Sequence, residues 1–143
     1  AANTSTSVLS ANLSIGGATV VVTEAAATIT APVAAAPVAK LSATSLNFGN
    51  QKVGTTSAAR TVTLSNTGGG TLAISALTLG GSNPTEFARA GTCALTSALT
   101  AGQSCTLVFT FTPALATSRA ATLTASTSGG TVKVSLTGRG TRR

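Results

Sequence analysis

The chain has 143 residues, 43% hydrophobic but only 8% charged, with a net charge of +7. It contains no His, Asp, Trp, Tyr or Met, and its only acids are Glu24 and Glu86. The length suits one ordinary domain plus an extension. The missing residue types leave no carboxylate pair, no nucleophile–base pair and no metal-ligand cluster, so the composition argues against an enzyme and against a bound metal or other cofactor.

Much of the apolar content is small: there are 27 Ala beside 28 Thr. Val, Leu, Ile and four Phe suffice for one thin core. Thr and Val favour extended backbone, because branching at Cβ suits a pleated surface. A surface poor in charge but rich in hydroxyls fits an exterior protein.

Residues 9–15 alternate, with Leu9, Ala11, Leu13 and Ile15 apolar and Ser10, Asn12 and Ser14 polar. Gly16-Gly17 follows and signals a two-residue hairpin turn. The return strand is expected over residues 18–30. Pairing across the turn sets Ile15 opposite Ala18, Leu13 opposite Val20 and Ala11 opposite Val22, all on one greasy face. Ser14 with Thr19, Asn12 with Val21 and Ser10 with Thr23 fall on the other.

Residues 31–37, Ala-Pro-Val-Ala-Ala-Ala-Pro, read as a semi-extended linker. This divides the chain into a strand-forming extension, 1–37, and a domain, 38–143. The extension contains only Glu24 among charged residues, whereas the domain holds all nine Lys and Arg together with Glu86.

The domain reads as a run of short strands. The first is residues 41–48, where apolar parity shifts between Leu41 and the Leu46/Phe48 pair, implying a kink or a change of sheet. Residues 49–57 read as a loop. The second strand is 61–65, with Val62 and Leu64 inward, and the third is 72–79, with a bulge expected near Ala76. Phe87 is expected to anchor the core from an irregular segment. The clearest strand is 105–112, with Cys105, Leu107, Phe109 and Phe111 inward and Pro113 ending it. Residues 120–126 place Ala121, Leu123 and Ala125 on one face, Gly129-Gly130 makes a hairpin turn, and Val132, Val134 and Leu136 form the last inward face. No 3.6-residue period persists, so the pattern predicts an all-β, immunoglobulin-like antiparallel β-sandwich of about seven strands with an N-terminal β-hairpin extension.

Cys93 and Cys105 form the only possible pair. A disulfide is the natural reading and implies an oxidising compartment, the alternative being two buried thiols in a reducing one. No stretch reaches the length of a membrane span. The start, Ala1-Ala2-Asn3, reads as the mature end expected after removal of a signal peptide. Asn3-Thr4-Ser5 and Asn12-Leu13-Ser14 match the glycosylation sequon, a match that chance explains in so Ser/Thr-rich a chain.

Several segments together resemble one family. They are Leu46-Asn47-Phe48-Gly49, Val53-Gly54-Thr55-Thr56-Ser57 and Val62-Thr63-Leu64-Ser65-Asn66-Thr67-Gly68. Phe87-Ala88, Leu99-Thr100-Ala101-Gly102-Gln103-Ser104-Cys105 and Phe109-Thr110-Phe111-Thr112-Pro113 continue the pattern. Arg119-Ala120-Ala121-Thr122-Leu123 and Val134-Ser135-Leu136-Thr137-Gly138-Arg139-Gly140-Thr141 close it. The chain resembles, over residues 40–141, the bacterial Hydin-like (ASH) immunoglobulin-like domains, also called choice-of-anchor D domains. The resemblance implies a seven-stranded sandwich related to major sperm protein and pilus-chaperone folds, a secreted or surface location and no catalytic residues. It also implies that Cys93 and Cys105 match the family's paired cysteines. The family often occurs in tandem; here there is one copy, and the hairpin lies outside the resemblance.

The hairpin carries the functional expectation. A lone two-stranded hairpin is marginal in water, so its apolar side needs cover. The leading reading is an extracellular or cell-surface structural subunit that self-assembles into a fibre, pilus-like filament or sheath. Its partners would be copies of itself, with Leu9, Ala11, Leu13, Ile15, Val20 and Val22 at the subunit interface. The alternative is a surface adhesion module binding anionic polysaccharide through the basic domain, although no Trp or Tyr is available to stack on sugar. A third reading is an accessory domain of a larger protein. Nucleic acid is not an expected partner, since no aromatic residues interleave with the basic ones.

Overall fold

The computed structural model describes residues 7–15, 18–24 and 35–142. The chain forms two compact units, Ala1–Val33 and Ala34–Arg143. In the first, strands β1 (Leu9–Ile15) and β2 (Ala18–Glu24) pair antiparallel. The register is the expected one: Ile15 faces Ala18, Leu13 faces Val20 and Ala11 faces Val22. The remainder of the expected return strand, residues 25–30, and the Gly16-Gly17 turn lie outside the described residues.

The second unit is the sandwich. Its strands, in chain order, are β3 (Ala39–Leu41), β4 (Ser45–Lys52), β5 (Arg60–Asn66), β6 (Leu72–Gly80), β7 (Phe87–Ala90), β8 (Ala98–Leu99), β9 (Ser104–Phe111), β10 (Ser118–Thr127) and β11 (Gly130–Thr141). One sheet has the order β4-β11-β10-β6-β8 and the other β3-β5-β9-β7. Ladders are antiparallel except β4 with β11, which run parallel.

Side-chain alternation explains why these strands stack. Cys105, Leu107, Phe109 and Phe111 on β9, and Ala121, Leu123 and Ala125 on β10, are all buried. All of these but Ala125 join one cluster with Val62 and Leu64 from β5, Leu72 and Ile74 from β6, and Val134 and Leu136 from β11. The parity shift in residues 41–48 is a change of sheet, because β3 pairs with β5 while β4 pairs with β11. The bulge expected near Ala76 is present: Ser126 pairs with Ala76, and Thr127 skips to Ile74.

Three local expectations are corrected. Residues 49–52, read as loop, continue β4, because Asn50, Gln51 and Lys52 pair with Arg139, Gly140 and Thr141. Phe87 is buried as expected, but it opens a regular strand that follows a 3-10 turn at Pro84–Glu86 and pairs with β9. The β10–β11 turn is centred on Ser128-Gly129, and Gly130, at φ 109°, already pairs with Thr127. Among the described residues the sandwich has seven strands longer than three residues, as expected, with the short β3 of three residues and β8 of two in addition.

The chain enters and leaves the sandwich at opposite ends. At the entering end, Thr67 N–H bonds Val38 O at 2.9 Å, and Gly129 packs on the backbone of Pro37 and Ala39. At the other end, Val53 N–H bonds Thr141 O and Gly54 N–H bonds Pro113 O, both at 2.9 Å. Strand β11 spans the two with 12 residues, a distance of roughly 40 Å at strand rise.

Candidate functional site

Cys93 and Cys105 are disulfide-bonded, with Cα atoms 5.0 Å apart, closing a loop of sequence separation 12. Both are buried, and the loop is tied down again where Cys93 N–H bonds Thr106 O at 3.1 Å. It carries the edge strand β8 across to β6, so the bridge braces one side of the sandwich. Opening it removes a constraint of about 3 kcal/mol on the loop-entropy account. Reduction is therefore expected to lower the denaturation midpoint, and native protein is expected to resist alkylation. Two thiols reacting freely in unreduced protein would contradict the pairing.

The hairpin is the expected interface. Of its six positions, Ala11 and Val22 face each other across the β1–β2 ladder, and both are exposed. The side chains of Leu9, Leu13, Ile15 and Val20 lie outside the described residues. Val22 is 55% exposed and its neighbour Val21, on the opposite face, 59%. The greasy side is therefore not the only one carrying exposed apolar surface.

The charged residues of the domain are partly committed to the fold. Arg119 and Glu86 form an ion pair at 3.2 Å with side chains only 11% and 12% exposed. Arg60 sits over the Phe48 ring at 5.8 Å, a cation–π contact. Arg89 donates to Cys93 O at 3.2 Å. Lys52 lies on β4 opposite Thr141, next to Arg142, and Arg139 lies two residues back on β11, so three cations gather at the end where the chain leaves. No sequence signal joined Lys52 to the C-terminal arginines, because the parallel β4–β11 pairing is non-local.

Both outer sheet faces are lined by hydroxyls. Thr122 pairs with Ser135 and Thr137 with Ala120 on one sheet, and Thr63 pairs with Thr106 and Ser65 with Ser104 on the other. Large exposed apolar side chains are found elsewhere: Val8, Val21 and Val22 in the hairpin unit, Val38 where the chain enters, Leu95 in the disulfide loop and Leu115 in the β9–β10 loop. Among the described residues, no three His, Cys, Asp or Glu come together as a metal site, and no helix is long and apolar enough to cross a membrane.

No family model and no curated protein matches the chain. Solved structures do match. A protein of unknown function from Porphyromonas gingivalis W83 superposes with a TM-score of 0.61 at 17% identity, covering 96% of this chain and 67% of that one. The ASH/PapD-like domain 7 of human CEP192 gives a TM-score of 0.56 at 14% identity, over 76% of this chain and 88% of that one. The VesB protease of Vibrio cholerae gives 0.52 at 18% identity, over 72% of this chain but only 31% of that protein. At these identities the likeness is one of fold: the chain is an immunoglobulin-like sandwich similar to the ASH/PapD-like domains.

Proposed function

We propose that this chain is a non-enzymatic, extracellular structural subunit that polymerises by donating its N-terminal hairpin to the next copy. Within that reading, the sandwich is a bacterial Hydin-like (ASH) or choice-of-anchor D domain. The observation that carries the proposal is the hairpin itself. Seven residues in β1 pair with seven in β2 in full register, yet two strands alone are barely stable in water. Both outer edges of such a ribbon offer backbone groups to another sheet. The disulfide fits an oxidising exterior. The chain enters and leaves the sandwich at opposite ends, so head-to-tail contacts would extend into a filament and need not close into a ring.

The test is the double variant Leu13→Lys/Val20→Lys, which places two charges at facing positions of the hairpin. The variant is expected to keep the sandwich's melting transition and to sediment as monomer under conditions that polymerise the unmodified chain. Normal polymers from the variant would refute hairpin donation. A second reading, binding of an anionic surface polymer, is favoured by the three cations Lys52, Arg139 and Arg142. It would show as salt-sensitive retention on an acidic polysaccharide by a chain that stays monomeric.

A further inference from the structure

Hairpin donation needs an acceptor, and the strand order restricts where one can be. In the four-stranded sheet the outermost strands are β3, with three residues, and β7, with four residues including Arg89. Beside β3, the uncovered start of β5 begins at Arg60. In the five-stranded sheet, β4 forms one border. It ends in Lys52 and is broken by Gly49 at φ 67° and by a register shift against β11. Short length, charge and irregularity are the usual devices that keep an edge from pairing.

The other border differs: β8 is only two residues long and a bulge interrupts β6 between Ile74 and Ala76, but past that bulge the edge of β6 is uncharged and keeps unbroken register with β10. Strand β8 covers β6 only at Leu72 and Ala73, with one further bond from Ile74 N–H to Ser97 O at 3.2 Å. Beyond that point the strand reads Ser75-Ala76-Leu77-Thr78-Leu79-Gly80, with no charge and no proline. One side of this stretch pairs with β10, and among the described residues no backbone hydrogen bond reaches the other. Leu77 and Leu79 pair with core residues Ala125 and Leu123, so they point into the sandwich, yet both remain half-buried. An added strand would complete their burial.

We infer that the open edge of β6, residues 75–80, is the acceptor for the hairpin of a second copy. This rests on the polymerisation reading above and names the other half of its joint. Three observations fit this occupant. The open stretch of six residues matches the seven-residue hairpin strands in length. An alternating strand laid along it sets its apolar positions beside Leu77 and Leu79 and its polar positions beside Thr78. The stretch also runs toward the end where the chain leaves, since Gly81 packs on Ala121 and Asn83 N–H bonds Ala120 O at 2.8 Å. The segment that follows the hairpin enters the sandwich at the opposite end, as a head-to-tail joint requires.

The experiment uses the full chain. Amide hydrogen exchange at residues 75–80 is compared between dispersed and polymerised protein, and polymerisation is measured for Leu79→Lys, which sets a charge into the half-filled slot, and for Thr78→Lys. Exchange across 75–80 is expected to slow by at least about tenfold on assembly. Leu79→Lys is expected to raise the concentration needed for assembly by at least about tenfold while still melting cooperatively. If Leu79→Lys does not fold, the exchange result on the unmodified chain decides alone. Polymers that leave exchange at 75–80 unchanged overturn this edge as acceptor, even where Leu13→Lys/Val20→Lys fails to polymerise and hairpin donation stands. Protection already present in dispersed monomer and lost in Leu13→Lys/Val20→Lys would place the hairpin on its own edge and overturn the second-copy assignment. Polymers from Leu13→Lys/Val20→Lys overturn hairpin donation and this inference with it.

Discussion

Replacing Asn66 with Ala is expected to cost the sandwich ~3–5 kcal/mol, since each buried partner left without a bond costs roughly 1–3 kcal/mol. Asn66 is 0% exposed and the one buried polar residue of the described core. Its side-chain oxygen accepts from Val38 N–H at 3.1 Å and Gly68 N–H at 3.0 Å. Its amide donates to Gly70 O and to Leu99 O, the latter at 2.9 Å. One side chain thus ties the entering segment, the β5–β6 turn and β8 to the end of β5. Its backbone adds bonds to Gln103 and Gly102. Alanine leaves all four partners without the side chain, the Leu99 carbonyl in a buried position and the other three in part-buried ones. At this domain size the melting midpoint is expected to fall by about 10–20 °C. Asp in its place could still accept but could not donate, and would set a negative charge against two carbonyls, so it is expected to be no better than Ala. A fall of under about 1 kcal/mol on denaturation would show that this hydrogen-bonded knot is not what holds the end together.

Phe111→Ala is expected to be at least as costly, ~3–5 kcal/mol, from lost apolar transfer and the cavity left behind. The Phe111 ring stacks on Phe87 with centroids 4.7 Å apart and 19° between planes, and it meets Phe48 at 5.9 Å. Phe48 belongs to one sheet and the other two to its partner, so the cluster joins both layers. Beneath the ring lies Gly138, where any Cβ would collide with the aromatic carbons. That backbone cannot move in to fill the space unless β11 bends. Leu at position 111 is expected to recover part of the loss because it refills some volume. Urea denaturation of the three proteins checks the order: unmodified most stable, Leu intermediate, Ala least. Equal midpoints for Ala and the unmodified chain would contradict the packing.

The two side chains differ in how far the sequence revealed them. Phe111 was legible because Cys105, Leu107, Phe109 and Phe111 keep one parity along β9, and a strand with one dry face shows that directly. The shift of parity between Leu41 and Leu46 likewise marked the passage from one sheet to the other. Asn66 was not legible as a core residue. Beside Thr67 and three glycines it reads as a turn former, and its hydrogen-bond partners Leu99 and Val38 are distant in sequence. The same reason hid the Glu86–Arg119 pair and the extension of β4 past Phe48. The sequence Gly-Asn-Gln-Lys has no apolar alternation, and only the parallel ladder with β11 makes it a strand. In the hairpin, register followed from the Gly-Gly turn and the alternation on either side. The open border of β6 could not be read that way, because an edge is defined by which strand is missing beside it and so depends on the whole strand order.

Electron microscopy of the purified full chain, over a range of concentrations under oxidising conditions, tests the central claim most directly. The account expects filaments of uniform width above a threshold concentration, absent when Leu13 and Val20 are replaced by Lys. Dispersed particles of single-chain size at every concentration would contradict it, and so would unaltered filaments from the substituted chain.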